Sequence, residues 1–336
     1  MRSLRRGLAV RFAATMALGL GALWVVQPHS LVAHALVMVL ASGATLVGAW
    51  WLAGSAVRPV AEITAQATQI EAGTLDQRIA AHADTDEYRG LVAVLNRMLE
   101  RLEDAFQGQR RLTADVSHEL RTPLTALRGE IEVALRAERS PREYQVVLRS
   151  ALEEIERLTT MSEDLLLITR AESHQLTLQR GPTDPNALIR NTLEELRGRI
   201  EEKDLTVVDT LERDAGSASL DHELVARLIE HLLDNAVKHT PIGGRIVVSS
   251  AGAQPAGRGV RLAVENSGSR IAPDDLPHIF EAFYRADQAR SRGTGTGLGL
   301  ALVAAIARLH GGAARARNRN GDGVRFEVDL PAPATS

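Results

Sequence analysis

The chain has 336 residues, a net charge of −3 and no cysteine. That length calls for two or more folded units, the near-neutral balance excludes a global basic field for nucleic acid, and the missing thiols exclude disulfides, thiolate metal sites and cysteine nucleophiles. Aromatic residues make up only 3%, and Lys203 and Lys238 are the only lysines, a composition that suits helices packed through Leu, Val and Ala better than an all-β core.

Residues 12–26 and 31–54 are two apolar runs separated only by Gln27-Pro28-His29-Ser30. The second is long enough for a bilayer, since a spanning helix needs about 20 apolar residues. The first reaches that length when 7–10 are included and Arg11 snorkels toward the headgroups. Arg2, Arg5, Arg6 and Arg11 precede it and Arg58 follows the second run, so both ends read as cytoplasmic. Trp24, Trp50 and Trp51 lie near span ends, where interfacial rings are favoured. Residues 1–54 are therefore expected to form two transmembrane helices with a very short extracytoplasmic turn and no folded external domain. The alternative is a signal peptide cleaved at Ala33-His34-Ala35.

A helical stretch is predicted to open at Val57-Arg58-Pro59-Val60 and to end near Ala72-Gly73. A connector leads to Asp84-Thr85-Asp86-Glu87, and a second helix carries Leu91, Leu95, Met98, Leu99 and Leu102. Pro59, Gly73, Asp86-Glu87 and Asn96 with Met98 resemble a HAMP relay module over 55–108; a generic juxtamembrane coiled coil has similar heptads.

The next helix follows without a break to about Ala137. Leu112, Val116, Leu120, Leu124, Leu127, Ile131 and Leu135 recur every three or four positions, one buried stripe. His118 sits two residues from Val116 and Leu120, about 200° around the helix from each, and so faces water beside Glu119. Ser140-Pro141-Arg142-Glu143 combines a capping box with proline in the first turn. The helix it starts places Leu148, Leu152, Ile155, Leu158, Leu165 and Ile168 on a stripe. Two such helices form an antiparallel hairpin over 109–176 that buries only part of its apolar surface, so a second chain is expected to complete a four-helix bundle.

From Leu176 the pattern turns to α/β. Helices are predicted over 184–202, 221–238 and 297–309, and strands over 205–211, 245–250, 260–265 and 324–330. Three clusters stand out. In Leu232-Leu233-Asp234-Asn235-Ala236-Val237-Lys238-His239-Thr240, an amide oxygen at Asn235 suits Mg²⁺, a hard cation that brings phosphates with it, and Lys238 offers a point charge to a phosphate; alone, the segment also reads as an ordinary polar helix end. In Val264-Glu265-Asn266-Ser267-Gly268, a strand breaks into a turn where glycine permits approach to a planar base and Asn266 can accept from an exocyclic amine. In Gly293-Thr294-Gly295-Thr296-Gly297-Leu298-Gly299-Leu300, alternating glycines precede a helix start, whose amides and dipole favour phosphate. No Lys-Ser/Thr follows, so it is not a P-loop. Phe280 to Arg285, then Arg290 and Arg292, suggest a basic lid.

The ordered set of His118 box, Asn235 box, Asn266–Gly268 turn, Phe280–Arg285 and glycine run resembles a membrane-bound sensor histidine kinase of a two-component system, over about 55–331. The resemblance implies a multidomain chain: the membrane hairpin, a cytoplasmic helical relay, a dimerisation and phosphoacceptor hairpin, and a GHKL-type ATP-binding α/β sandwich over 177–331, with a tail at 332–336. It implies a bacterial inner-membrane, multi-pass protein with cytoplasmic catalytic domains that uses ATP and Mg²⁺. The chain would phosphorylate itself on His118 and pass the group to an aspartate of a response regulator, as a homodimer and without nucleic acid. Glu119 would orient the imidazole, and Thr122, one turn on, would position water for dephosphorylating the partner. Asn235, Lys238, His239, Asn266, Gly268, Gly293, Gly295, Gly297, Leu298 and Gly299 would bind ATP, with Asn235 on the metal. Three residues depart from the family pattern: His231 in place of an earlier asparagine, Asn266 in place of an adenine-reading aspartate, and Arg270 in place of a glycine. They support the alternative of a catalytically weak or dead dimeric scaffold.

Overall fold

The computed structural model describes residues 14, 31–71, 74–80, 86–136, 138–173, 175–212, 218–253, 259–286, 295–319 and 321–331. The chain divides into two units, Met1–Arg111 and Leu112–Ser336.

In the first unit, helix α1 (Leu31–Gln69) runs through Pro59 rather than starting there. One proline removes one backbone hydrogen bond, and the regular helix on both sides outweighs that loss. Among the described residues no helix is long and apolar enough to cross a membrane, so the expected spanning hairpin is not shown. Residues 15–30, with most of its first run and its turn, lie outside the described residues, as do Ala72, Gly73, Asp84 and Thr85. The connector 74–80 is held by amide side chains. Asn96, on helix α2 (Asp86–Leu135), accepts from the Ile79 N–H at 2.8 Å and donates to its carbonyl at 3.1 Å, while Gln66 accepts from the Ala80 N–H at 2.8 Å. An extended segment without a strand partner needs such substitutes for a ladder. Ile63, Leu75 and Ile79 are buried.

The second unit begins within α2, which continues unbroken past His118 as expected and contains Pro123. Helix α3 (Pro141–Glu172) opens with the expected capping box: Glu143 N–H donates to Ser140 Oγ, and Ser140 N–H to Glu143 Oε2 at 2.8 Å. Ser150 donates to Glu130 at 3.2 Å and marks the register of the hairpin. Leu124, Ile131, Val146, Leu148, Leu152 and Ile155 remain exposed on it.

The α/β part contains β1 (Arg180–Thr183), α4 (Pro185–Glu195), α5 (Arg197–Glu202), β2 (Thr206–Leu211), β3 (Ala218–Asp221), α6 (His222–His239), β4 (Arg245–Ala253), β5 (Gly259–Asn266), α7 (Gly299–Leu309), β6 (Ala313–Asn318) and β7 (Val324–Leu330). Five strands form one sheet in the order β2-β4-β5-β7-β6; β2 is parallel to β4 and the other neighbours are antiparallel. β1 and β3 form a separate antiparallel pair. The helix predicted over 184–202 divides at Leu196, and Asp184 caps its first part through the amides of Asn186 and Ala187. Leu220, Leu228, Leu232, Leu302, Ile306 and Val328 form the centre of the core, which Met161, Ile168 and Ala171 of α3 also join.

A buried histidine locks the end of α7 to the start of α6. His310, 1% exposed, accepts at Nε2 from the Asp221 N–H at 3.1 Å, and its Nδ1 lies 2.9 Å from the Ile306 carbonyl. Burial pushes its pKa below the ordinary 6.5, against the raising effect of the Ile306 carbonyl. The unfolded chain therefore binds this proton more readily, so the stability is complete above pH 6.5 and is lost as pH falls below it. His310→Gln is expected to flatten the acid side of a melting-temperature profile between about pH 7 and pH 5. An unchanged acid limb in the variant would place that loss in other groups.

Candidate nucleotide and phosphoacceptor sites

Helix α6 is the spine of the candidate nucleotide site. It buries Leu224, Val225, Leu228, Ile229, Leu232, Leu233, Ala236 and Val237. His231, Asn235 and His239 follow one another along an edge of that stripe, one turn and about 6 Å apart, and all three are half-buried. Each end of this row meets a glycine. A Cβ on Gly299, the first residue of α7, would lie 3.1 Å from His231 Nδ1. A Cβ on Gly268 (φ +120°) would lie 2.8 Å from Pro241 Cδ and 3.4 Å from the His239 carbonyl oxygen. The start of α7 and the turn after β5 therefore flank Asn235 on either side.

The glycine run is built for backbone approach. Gly297 has φ +72°, and a Cβ there would come within 2.9 Å of the Phe283 backbone, whose N–H donates to the Gly297 carbonyl at 3.0 Å. Phe283 itself has φ 64°, a conformation strained for an aromatic residue. Gly295 has φ +118°, and no described residue lies within 4 Å of its Cβ position. Helix α7 opens at Leu298, fully buried, with no side-chain cap. The amides and dipole of such a helix start suit an anion. Gly293, Arg290 and Arg292 lie outside the described residues.

At the other end, Asn266 is 3% exposed and its amide donates to the Ser267 carbonyl at 3.2 Å. The Ser267 hydroxyl accepts from the Arg245 N–H at 2.8 Å and ties the turn to β4. Lys238 is not a lone charge. Its ammonium is 2.7 Å from Asp234, which Arg199 of α5 also reaches at 2.7 Å. Burial raises the Asp234 pKa, but hydrogen bonds from Lys238 and Arg199 outweigh it and hold the carboxyl below its ordinary value. A phosphate on Lys238 has to compete with that pair.

His118 belongs to the other element. It is exposed on α2, Glu119 beside it is half-buried, and Thr122 Oγ1 donates to the His118 carbonyl at 3.3 Å. Pro123 has no N–H for the Glu119 carbonyl, so the backbone ladder is interrupted one residue from the imidazole. The sequence does not reveal that Asp164, on α3, meets α6. Arg227 Nη2 is 2.9 Å and His231 Nε2 3.4 Å from Asp164 Oδ1. The only sequence signal is the four-residue spacing of Arg227, His231 and Asn235 on one helix.

Three family descriptions match the chain in order: HAMP domain over 51–104, His Kinase A (phospho-acceptor) domain over 108–174, and histidine kinase-, DNA gyrase B- and HSP90-like ATPase over 220–334. The sensor protein CopS of Pseudomonas syringae pv. tomato is 34% identical over 243 residues, 72% of this chain and 48% of CopS. The sensor histidine kinase CusS of Escherichia coli K12 is 34% identical over 234 residues, 70% of this chain and 48% of CusS. The chain thus spans about half the length of the curated relatives it matches. Among solved structures, the Acinetobacter baumannii histidine kinase AdeS superimposes with a TM-score of 0.53 and 26% identity, over 64% of this chain and 98% of that one. With a relay, a phosphoacceptor hairpin and an ATPase fold in this order, the chain belongs to the sensor histidine kinases of two-component systems.

Proposed function

We propose that the chain is an ATP-dependent protein-histidine kinase that phosphorylates His118 and passes the group to a response-regulator aspartate. The observation that carries this reading is the row His231, Asn235 and His239 between two glycine turns, together with an exposed imidazole on the adjoining helical hairpin. The uncapped start of α7 and Gly295 would receive the phosphates. Asn266 would present its amide oxygen to the adenine amine, since its nitrogen is committed to Ser267. Gly268 would let the base lie against the turn, and His239 would border it. Asn235 would hold Mg²⁺ through its amide oxygen; the ion, when bound, spreads the charge of the transferring group. The donor set fits: one amide beside an anion-binding helix start, which leaves the remaining positions to phosphate and water oxygens.

In the transfer step, the neutral His118 imidazole attacks the γ-phosphorus, the bond to the β–γ bridging oxygen breaks, and ADP leaves. Glu119 would accept the proton on the other ring nitrogen and orient the ring. Thr122 would serve the reverse role toward the regulator by positioning a water for its dephosphorylation. Two chains would pair through the exposed Leu124, Ile131, Val146, Leu148, Leu152 and Ile155 of the hairpin. The N-terminal segment would anchor the dimer in a bacterial inner membrane, with the catalytic parts cytoplasmic. Residues 31–54 contain no Asp, Glu, Lys or Arg, and Met38, Val39, Leu46, Val47 and Trp50 are exposed on α1.

Incubation with γ-labelled ATP tests the activity. Acid-labile label on the chain is expected, and its absence from correctly folded protein would favour the dead scaffold. His118→Gln should abolish labelling while ATP binding persists, because acceptor and nucleotide site lie on different elements; label surviving in that variant would remove His118 as the acceptor. Asn235→Ala is expected to lower Mg·ATP affinity by at least about tenfold, read by calorimetry. Unchanged affinity would refute the metal role.

A further inference from the structure

Asp164 is a carboxylate of the phosphoacceptor hairpin, yet its partners belong to the nucleotide part. It is 3% exposed, and both of the α6 side chains that approach it do so at one oxygen. Arg227 Nε donates to Oδ1 at 3.1 Å, and His231 Nε2 lies 3.4 Å from the same atom. Arg227 Nη2 also reaches Glu163 at 3.2 Å, but the Glu163 side chain is largely exposed. A carboxylate removed from water persists only when paired, so this cluster is a fixed point of contact between α3 and α6.

Two further observations give the contact a direction. On the side of His231 away from Asp164, Nδ1 lies 3.1 Å from where a Gly299 Cβ would stand, so the ring is packed against the first residue of α7. Within the hairpin, the Ser150–Glu130 hydrogen bond fixes the antiparallel register. Counting outward from it puts Asp164 level with Val116, about 3 Å along the axis from His118. The chain Asp164, His231, Gly299 thus leads from the height of the phosphoacceptor to the end of the glycine run.

We propose that Asp164 is a positioning residue for the nucleotide site: it holds His231 against Gly299 and so ties the start of α7 to the hairpin at the level of His118. This rests on the reading that ATP phosphates occupy the start of α7. Asp164 touches no substrate in this scheme and acts only through His231. Its removal lets the ring turn, and the Gly299 end of the phosphate loop loses its backing. The effect falls on nucleotide affinity and leaves the chemistry at saturating ATP nearly unchanged.

A double-mutant cycle on the full chain tests this, with Mg·ATP affinity measured by calorimetry and His118 labelling measured across ATP concentrations. Asp164→Asn keeps the shape and removes the charge; His231→Gln keeps a polar side chain and removes the ring. Each is expected to weaken Mg·ATP binding by about fivefold, and the double variant by no more than about twofold beyond either single one, since coupled residues are non-additive. The label at saturating ATP should stay within about twofold of the wild type. Glu163→Gln should bind as the wild type does. Asp164→Asn with wild-type affinity, His231→Gln with wild-type affinity, or penalties that multiply in the double variant would each overturn the proposal. If Asp164→Asn does not fold, His231→Gln decides alone by the same criterion. A wild-type chain that binds no ATP would instead overturn the reading of the site, and the positioning role with it.

Discussion

The orientation of α6 about its own axis is the constraint on which the proposed nucleotide site depends. Eight apolar side chains of this helix are buried, and full burial of each of the seven Leu, Val and Ile among them contributes roughly 1.5–3 kcal/mol. Turning the helix by one residue, about 100°, would bring several of them into water. A ligand contact is too weak to impose that. The row His231, Asn235 and His239 therefore takes its place from the burial of its neighbours, and the two glycine turns come to it. A Cβ on Gly268 would meet Pro241, just beyond the end of α6, at 2.8 Å, and one on Gly299 would press on the His231 ring at 3.1 Å.

The two lysines of the chain both serve the last turns of this helix. The Lys203 ammonium donates to the carbonyls of Val237, Lys238 and Thr240 at 2.8, 3.0 and 3.2 Å. These are carbonyls that a helix end leaves without intrahelical donors, and a cation there also opposes the dipole. Three oxygens converging on one point suit a compact ammonium with three rotatable donors, whereas the planar fork of arginine suits a carboxylate. That accounts for lysine at position 203 in a chain whose other cations are nearly all arginine. Lys238 belongs to a different balance. Asp234 neutralises it in part and Arg199 shares the carboxylate, so its attraction for a phosphate is tempered rather than lost.

The elements with strong periodicity were legible in the sequence. β7 alternates Val324, Phe326, Val328 and Leu330 inward and is found at the predicted residues, while α6 shifts by one. The Ser140 box was readable because its two hydrogen bonds are local. What escaped lacks such a pattern. β1 contains Gly181-Pro182, β3 has four residues, and β6 alternates Ala with Arg. The break at Leu196 is signalled only by Gly198 two residues later, since Pro185 stands at the start of the run, where it suits a helix. At the candidate site, residue types and order were readable, but their partners were not. Asp164 and Arg227 are 63 residues apart, and no local rule relates an acid on one amphipathic helix to a base on another.

The placement of His118 adds a requirement to the proposed chemistry. Leu120 packs against the core that Met161 and Ile168 share with the nucleotide part. His118 stands about 200° from Leu120 around α2 and is exposed. The imidazole therefore points away from the face through which its own hairpin joins that core. Transfer from the nucleotide site of the same chain needs the α/β part to swing around the hairpin, and transfer from the other chain of a dimer needs the bundle to present this face to it. Both routes turn on how firmly α6 is held to α3. A single buried carboxylate approached at one oxygen by an arginine and a histidine ring makes such a hold strong when the groups are aligned and costly when one is displaced, which favours two discrete arrangements over a continuum. Pro123 lies one turn beyond His118 and interrupts the ladder there, so the helix is most easily deformed where the acceptor must be brought to the phosphate.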